Sequence, residues 1–193
     1  MLHLSPEAAL VLIDMQKAVD HPSWGRRNNP HAEEHVARLL AHWRGTGRPL
    51  AHVRHISREP RSTFRPGQIG IEFKDASMPL DGETVITKHR PNALIGTRLA
   101  EWLRERGISQ LVIAGVATHN SVEATARVAA DLGFEAIVVS DAAFTFDGHD
   151  FDGRHRSAEE VHAMSLANLA ADYATICTTD EVIDAAGAQH LPA

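Results

Sequence analysis

Six apolar runs recur along the chain, each followed by a polar or glycine-marked break. They span Ala8–Ile13, Pro49–Ile56, Thr84–Thr87, Leu111–Ala114, Ala136–Val139 and Ala174–Thr178. Most are continuous rather than alternating, the mark of strands covered on both faces. Helical patterns separate them. Val36, Leu39, Leu40 and Trp43 fall at i, i+3, i+4 and i+7 on one apolar face. Asn29 reads as the cap of that helix, with Pro30 at its first position and Gly45 and Gly47 ending it. Ile95, Leu99, Trp102, Leu103 and Arg106 outline a second helix closed by Gly107. The strand beginning at Leu111 breaks at Gly115, and a third helix opens near Ser121, with Asn120 and Glu123 spaced as a capping box. Ser157 and Glu160 form another capping box before a helix with His162, Leu166 and Leu169 on one face, and Asp180–Ala186 is a closing helix before a frayed tail. Strands alternating with helices imply right-handed crossovers and a mainly parallel sheet, hence an α/β fold.

Two segments escape this rhythm. Asp20–Pro30 is a turn-rich loop around an isolated Trp24, which either plugs the core or walls a pocket. Ser57–Glu83 holds three prolines and three glycines with weak periodicity. A loop of that length in a compact domain is a lid, a binding loop or an oligomer contact, and the last is our candidate for a homo-oligomer (dimer or tetramer).

Composition narrows the class. The 193 residues, 44% hydrophobic and 23% charged, suit a single domain over 1–193. A formal net charge of −6 argues against a nucleic-acid partner, and the cluster Arg58, Arg61 and Arg65 reads as a solvated loop. No run reaches the ~18 apolar residues of a membrane span, and no basic segment precedes the first apolar run as in a secretory signal. Cys177, the single cysteine, excludes an intrachain disulfide and reads as a buried structural thiol. Cytoplasmic residence is the expectation. Thirteen histidines invite a metal reading, yet no ligand spacing appears, and His52 and His55 point to opposite faces of their strand. No metal and no cofactor are expected.

The polar residues at strand ends carry the chemistry. Asp14 closes the first strand, where ligands of open α/β sheets bind. Lys88 closes the third and could hold that carboxylate ionised. Ser121 sits at a strand-to-helix turn whose N–H groups suit either a helix cap or an oxyanion. Asp141, after the fifth strand, reads as a cap or loop anchor.

The stretch GVATHNSVEATAR resembles the nucleophile motif of the isochorismatase-like (cysteine hydrolase) superfamily, and VLIDMQ at Val11–Gln16 and VITKHRPNAL at Val85–Leu94 follow the family's other two motifs in order. The resemblance covers about Ala8 to Val182. It implies a three-layer αβα, Rossmann-like doubly wound six-stranded parallel sheet of order 3-2-1-4-5-6. By the same matching, Asp14 is the acid/base, Lys88 its charge partner, and Ser121 stands where the family has its nucleophilic cysteine. A cis peptide joins Val116 to Ala117, and the Ala117 and Ser121 N–H groups form the oxyanion hole. Leu94 replaces an aromatic residue, and the Asp-x-His metal motif of the nicotinamidases is missing. Trp24, Asn92, His119 and Phe144 are assigned to the substrate pocket, although Phe144, like Phe146, could equally be core.

The resemblance implies a hydrolase of a small-molecule amide or related C–N bond. An alternative is a vinyl-ether hydrolase in which Asp14 is the proton donor and no side chain attacks. A third is a member that binds a small molecule without turnover. Serine ionises far less readily than cysteine, so an Asp14 base requires burial to raise its pKa. His119, two residues before Ser121, is the other candidate base.

Overall fold

The computed structural model describes residues 2–187. Its strands are β1 (Ala9–Ile13), β2 (Leu50–His55), β3 (Thr84–Lys88), β4 (Gln110–Val116), β5 (Glu135–Phe144), β6 (Gly148–His149), β7 (His155–Arg156) and β8 (Ala174–Cys177). The helices are α1 (Ala32–Thr46), α2 (Leu99–Glu105), α3 (Glu123–Asp131), α4 (Ala158–Asp172) and α5 (Thr179–Gly187). Six strands form one parallel sheet in the order β3-β2-β1-β4-β5-β8, as expected with β8 in the sixth place. The two-residue β6 and β7 pair separately as an antiparallel hairpin, which no apolar run announced.

Alternate residues of each central strand feed two separate cores. Leu10 and Leu12 of β1 pack with Val112 and Ala114 of β4 beneath α1 and α5. Ala9, Val11 and Ile13 pack with Leu111 and Ile113 beneath α2, α3 and α4. This double covering explains the unbroken apolar runs. The expected α1 face holds, with Val36, Leu39, Leu40 and Trp43 all buried, and the Trp43 indole donates to the Ala8 carbonyl at 3.1 Å. Each such side chain contributes roughly 1.5–3 kcal/mol by leaving water.

Several boundaries differ from the expected ones. Asn29 does not cap α1, which starts at Ala32 behind His31. Its backbone is left-handed (φ 45°), and its side-chain amide donates to the carbonyls of Ser140 and Ala143 at 2.8 and 2.6 Å. These carbonyls lie where β5 bulges out of register with β4, so the asparagine serves groups the ladder leaves there. β5 consequently continues through Ser140 and Asp141 to Phe144. Ile95 lies outside α2 and is exposed. The capping box Ser157–Glu160 is present, and Asp141 accepts from Thr179 at the start of α5. The expected frayed tail lies outside the described residues.

Gly115 does not break β4. It pairs with Ile13 at φ +121°, and a Cβ there would lie 2.1 Å from the Ile13 carbonyl oxygen. Only glycine lets β4 run this close to β1. After β1 the chain turns outward to β2 and β3; β4 then returns on the other side, opening a crevice between the ends of β1 and β4.

Candidate active site

Three strand ends converge in that crevice. Asp14 follows β1 with a left-handed backbone (φ 51°), a conformation aspartate tolerates better than most residues, and its N–H donates to Val53 of β2 at 2.9 Å. Lys88 is the last residue of β3. Its stem is fully buried, and Nζ reaches Asp14 Oδ2 at 2.6 Å, Ser121 Oγ at 3.1 Å and the Arg90 carbonyl at 3.2 Å. One ammonium thus uses its three N–H bonds on three acceptors, two of them the expected reactive groups.

Ser121 lies in a π-helical turn, Thr118–Val122, immediately before α3. The turn closes through Val122 N–H to Ala117 O at 3.2 Å. The capping box expected of Asn120 and Glu123 is absent, because this wider turn leads into the helix without a side-chain cap. Glu123 instead binds Arg127 and lies 2.6 Å from Ser165 Oγ, which also reaches the Thr118 carbonyl at 3.1 Å. His162 Nδ1 lies 2.9 Å from Thr118 Oγ1. The α4 residues Ser165 and His162 therefore brace the turn from outside, a role no motif announced. The Val116–Ala117 peptide is cis, as the resemblance implied.

Burial pushes the Asp14 carboxyl up to about 6, against the opposing pull of the Lys88 ammonium and the smaller pull of the Ser121 hydroxyl. Desolvation wins because the carboxyl is fully enclosed. Its second oxygen, Oδ1, is buried without a hydrogen-bond partner. The carboxylate is thus held on one side and left unpartnered on the other.

Asp14, Ala117 and Ser121 line a cavity of about 560 Å³, together with Val19, Trp24 and Val116. The long loop adds Ser57, Arg58, Glu59, Ser62 and Phe64, and the turn after β3 adds His89, Arg90 and Pro91. Trp24 packs against Phe146 and Phe64 at centroid distances of 5.0 and 6.0 Å, and its indole donates to Thr63 Oγ1 at 3.1 Å. His55 also lines the cavity. Burial, with Lys88 and His89 nearby, holds its imidazole neutral with a pKa of about 4, and its Nδ1 has no partner. Gln16, fully buried, ties the loop to the sheet through His55 N–H and the carbonyls of His55 and Ile71.

Three residues expected in the pocket lie elsewhere. Phe144 is wholly buried in the core, its ring 3.8 Å beneath the Arg27 guanidinium. Asn92 spends its amide on the Ala124 carbonyl at 2.6 Å and its carbonyl on the N–H groups of Leu94 and Ile95. His119 faces outward and bonds Thr145 Oγ1, so it is no base for Ser121. No group of three or more metal-ligating side chains occurs among the described residues. No helix among them is long and apolar enough to cross a membrane.

The isochorismatase domain matches residues 8–181. The chain is 38% identical over 181 residues to the isochorismatase family protein YrdC of Bacillus subtilis, covering 94% of this chain and 97% of that one. With nicotinamidase 3 of Arabidopsis thaliana it shares 28% identity over 192 residues, 91% of this chain and 86% of that one. It superposes on a crystal structure of an isochorismatase-family protein from Chromobacterium violaceum with a TM-score of 0.94 at 53% identity, covering 97% of each chain.

Proposed function

The chain belongs to the isochorismatase family of hydrolases, and we propose that it cleaves a small carboxamide or related C–N bond through an acyl-enzyme on Ser121. The observation that carries this reading is the single buried ammonium of Lys88 within hydrogen-bond reach of both Asp14 and Ser121, which line the cavity. The similarity to a nicotinamidase supports the amide over other bonds.

Lys88 donates to Ser121 Oγ, so the serine proton is directed elsewhere. The Asp14 carboxylate, which interacts with the Ser121 hydroxyl, is the acceptor we assign to it. An ordinary carboxylate is a weak base for a hydroxyl, and a carboxyl raised to about 6 is a better one. Asp14 takes the Ser121 proton as Oγ bonds the substrate carbonyl carbon. The carbonyl electrons move to oxygen, to which the N–H groups of Ala117 and Ser121 donate as an oxyanion hole. One such donor is worth about 3–4 kcal/mol to the transition state. As the carbonyl re-forms, the C–N bond breaks and Asp14 delivers its proton to the leaving nitrogen. Water then attacks the serine ester, Asp14 takes its proton, and Ser121 recovers a proton as the acid departs. Lys88 stays charged throughout and keeps both oxygens aligned.

A second reading draws on the same raised carboxyl. A pKa of about 6 leaves part of Asp14 protonated near neutrality, as a proton donor to a vinyl ether requires. Ser121 would then only position the substrate or the water. Ammonia release from a panel of small primary amides, with intact-protein mass spectrometry of the quenched reaction, separates the two. Loss of turnover and of the acyl adduct in Ser121→Ala supports the acyl-enzyme. Enol-ether turnover that survives Ser121→Ala and vanishes in Asp14→Asn overturns it.

A further inference from the structure

The cavity that serves the proposed reaction has an unusual charge balance at its mouth. Half of the guanidiniums of this acidic chain meet a carboxylate: Arg26, Arg27, Arg38, Arg44, Arg98, Arg106, Arg127 and Arg156. Arg58 and Arg90 do not. Both line the cavity and are exposed, and neither guanidinium has a hydrogen-bond, ion-pair or ring partner among the described residues. Two acids share the lining. Asp14 is already engaged by Lys88, which leaves Glu59 against two free cations. The mouth is therefore net positive on a chain whose formal charge is −6. Burial first, and then the charges of Lys88 and His89, disfavour protonation of His55 in the same space.

A free guanidinium at a cavity rim is a fork for a carboxylate, planar and able to bind both oxygens. The two arginines come from different segments, one from the start of the long loop and one from the turn after β3. The turn of Arg90 is also tied to the reactive centre, because its carbonyl accepts from Lys88 Nζ. An anion held there would lie in the same cavity as Ser121. At about 560 Å³ the cavity has the size of ordinary small-molecule sites, ample for a short two-ended molecule.

We infer that the substrate is an amide carrying a second, anionic group, a carboxylate held by Arg58 and Arg90 at the mouth while its carbonyl meets Ser121. The inference rests on the hydrolase reading for the amide end and on the unpaired arginines for the acid end. It excludes cationic amides as preferred substrates, because Arg58 and Arg90 repel them and Glu59 alone does not offset two charges. Neutral amides of the same length enter but lose the contact that orients them.

The test compares three probes of similar length: succinamate, butyramide and 3-aminopropanamide. Initial rates of ammonia release are measured at low salt and in about 0.5 M KCl, where surface charges are largely screened, for the wild type and for Arg58→Gln, Arg90→Gln and the double variant. The expected result is a kcat/KM for succinamate at least tenfold above that for butyramide, a margin that shrinks in salt. The double variant should bring the ratio towards one. A ratio untouched by the double substitution, or a preference for 3-aminopropanamide, overturns the inference. If no amide is turned over, the hydrolase reading fails and binding decides the rest. Calorimetric titration with succinate should then show binding by the wild type that the double variant loses at least tenfold; equal or absent binding in both overturns the anion site.

Discussion

Replacing Lys88 by methionine keeps the length of the buried stem and removes the ammonium. The stability consequence can be worked from the site. In the wild type the Asp14 carboxyl is raised to about 6 by enclosure, against ~3.9 for an unfolded chain. The folded state therefore binds this proton more tightly, and the stability it contributes is present below pH ~4 and lost as pH rises towards 6. The gap between those two values corresponds to about 3 kcal/mol, after which the wild-type curve is flat with respect to this group. Removing an ammonium 2.6 Å from the carboxylate takes away an attraction of roughly 6 kcal/mol at an effective dielectric of 20. Asp14 then stays protonated beyond pH ~9, and the variant continues to lose about 1.4 kcal/mol for each pH unit above 6. Urea denaturation at successive pH values from 5 to 9 reads the difference. A pH-independent offset from lost contacts is expected at every point. On top of it, the gap between wild type and Lys88→Met should open by about 3 kcal/mol between pH 6 and pH 8. A gap that stays constant above pH 6 would show that Lys88 does not hold the Asp14 charge, and the electrostatic account of the site would be refuted.

The kcat/KM of the wild type should fall below pH 6 as Asp14 takes up its proton, with the limb absent from any activity left in Asp14→Asn. Ser121→Cys should place a thiol beside the Lys88 ammonium and lower its pKa below the ~8.5 of a free cysteine, read as the pH dependence of alkylation by iodoacetamide; a rate profile matching free cysteine counts against the ammonium's reach. Gly115→Ala puts a methyl group on the Ile13 carbonyl in a backbone conformation alanine avoids, and the loss should exceed about 3 kcal/mol in chemical denaturation. Glu83 accepts from Arg44 and faces His52, and the Arg44 guanidinium holds its carboxyl down to about 2. Its contribution is thus present above pH ~4.3 and lost as pH falls towards 2, and Glu83→Gln should lose about 2 kcal/mol at neutral pH with little difference left at pH 2.

The strands and the three candidate site residues are legible in the sequence because each rests on a local sign, whereas the sheet order follows only from the family resemblance. Buried strands are continuous apolar runs, and Asp14 and Lys88 are the charges that end two of them. The helix start at Ser121 is ambiguous for a physical reason: a π-helical turn and an ordinary capped turn both place small polar residues before a helix. The β5 bulge is invisible because its mending group, Asn29, lies more than a hundred residues away in the chain. The cavity wall is the least legible part. Trp24 does line it, but His119, Asn92 and Phe144 are suggested only by their nearness to motifs, and nearness along the chain does not settle which way a side chain points. Gln16, His55, Arg58 and Arg90 carry no signal of a pocket role; three of them line the cavity and Gln16 fastens its loop only after two distant segments are folded together.

Lys88 belongs to β3, an edge strand of the sheet with a neighbour on one side only. Side chains on a strand change face with every residue, so slippage of β3 by a single position would swing the ammonium to the far side and leave an acid and an alcohol with nothing between them. The clamp against that slippage is the residue just before the strand, Glu83, gripped by α1 through Arg44 and by β2 through His52. Alignment of the three groups we propose to react is thereby delegated to a fastening at the opposite end of the same five-residue rod. Damage there should reach the chemistry without touching a single atom of the cavity.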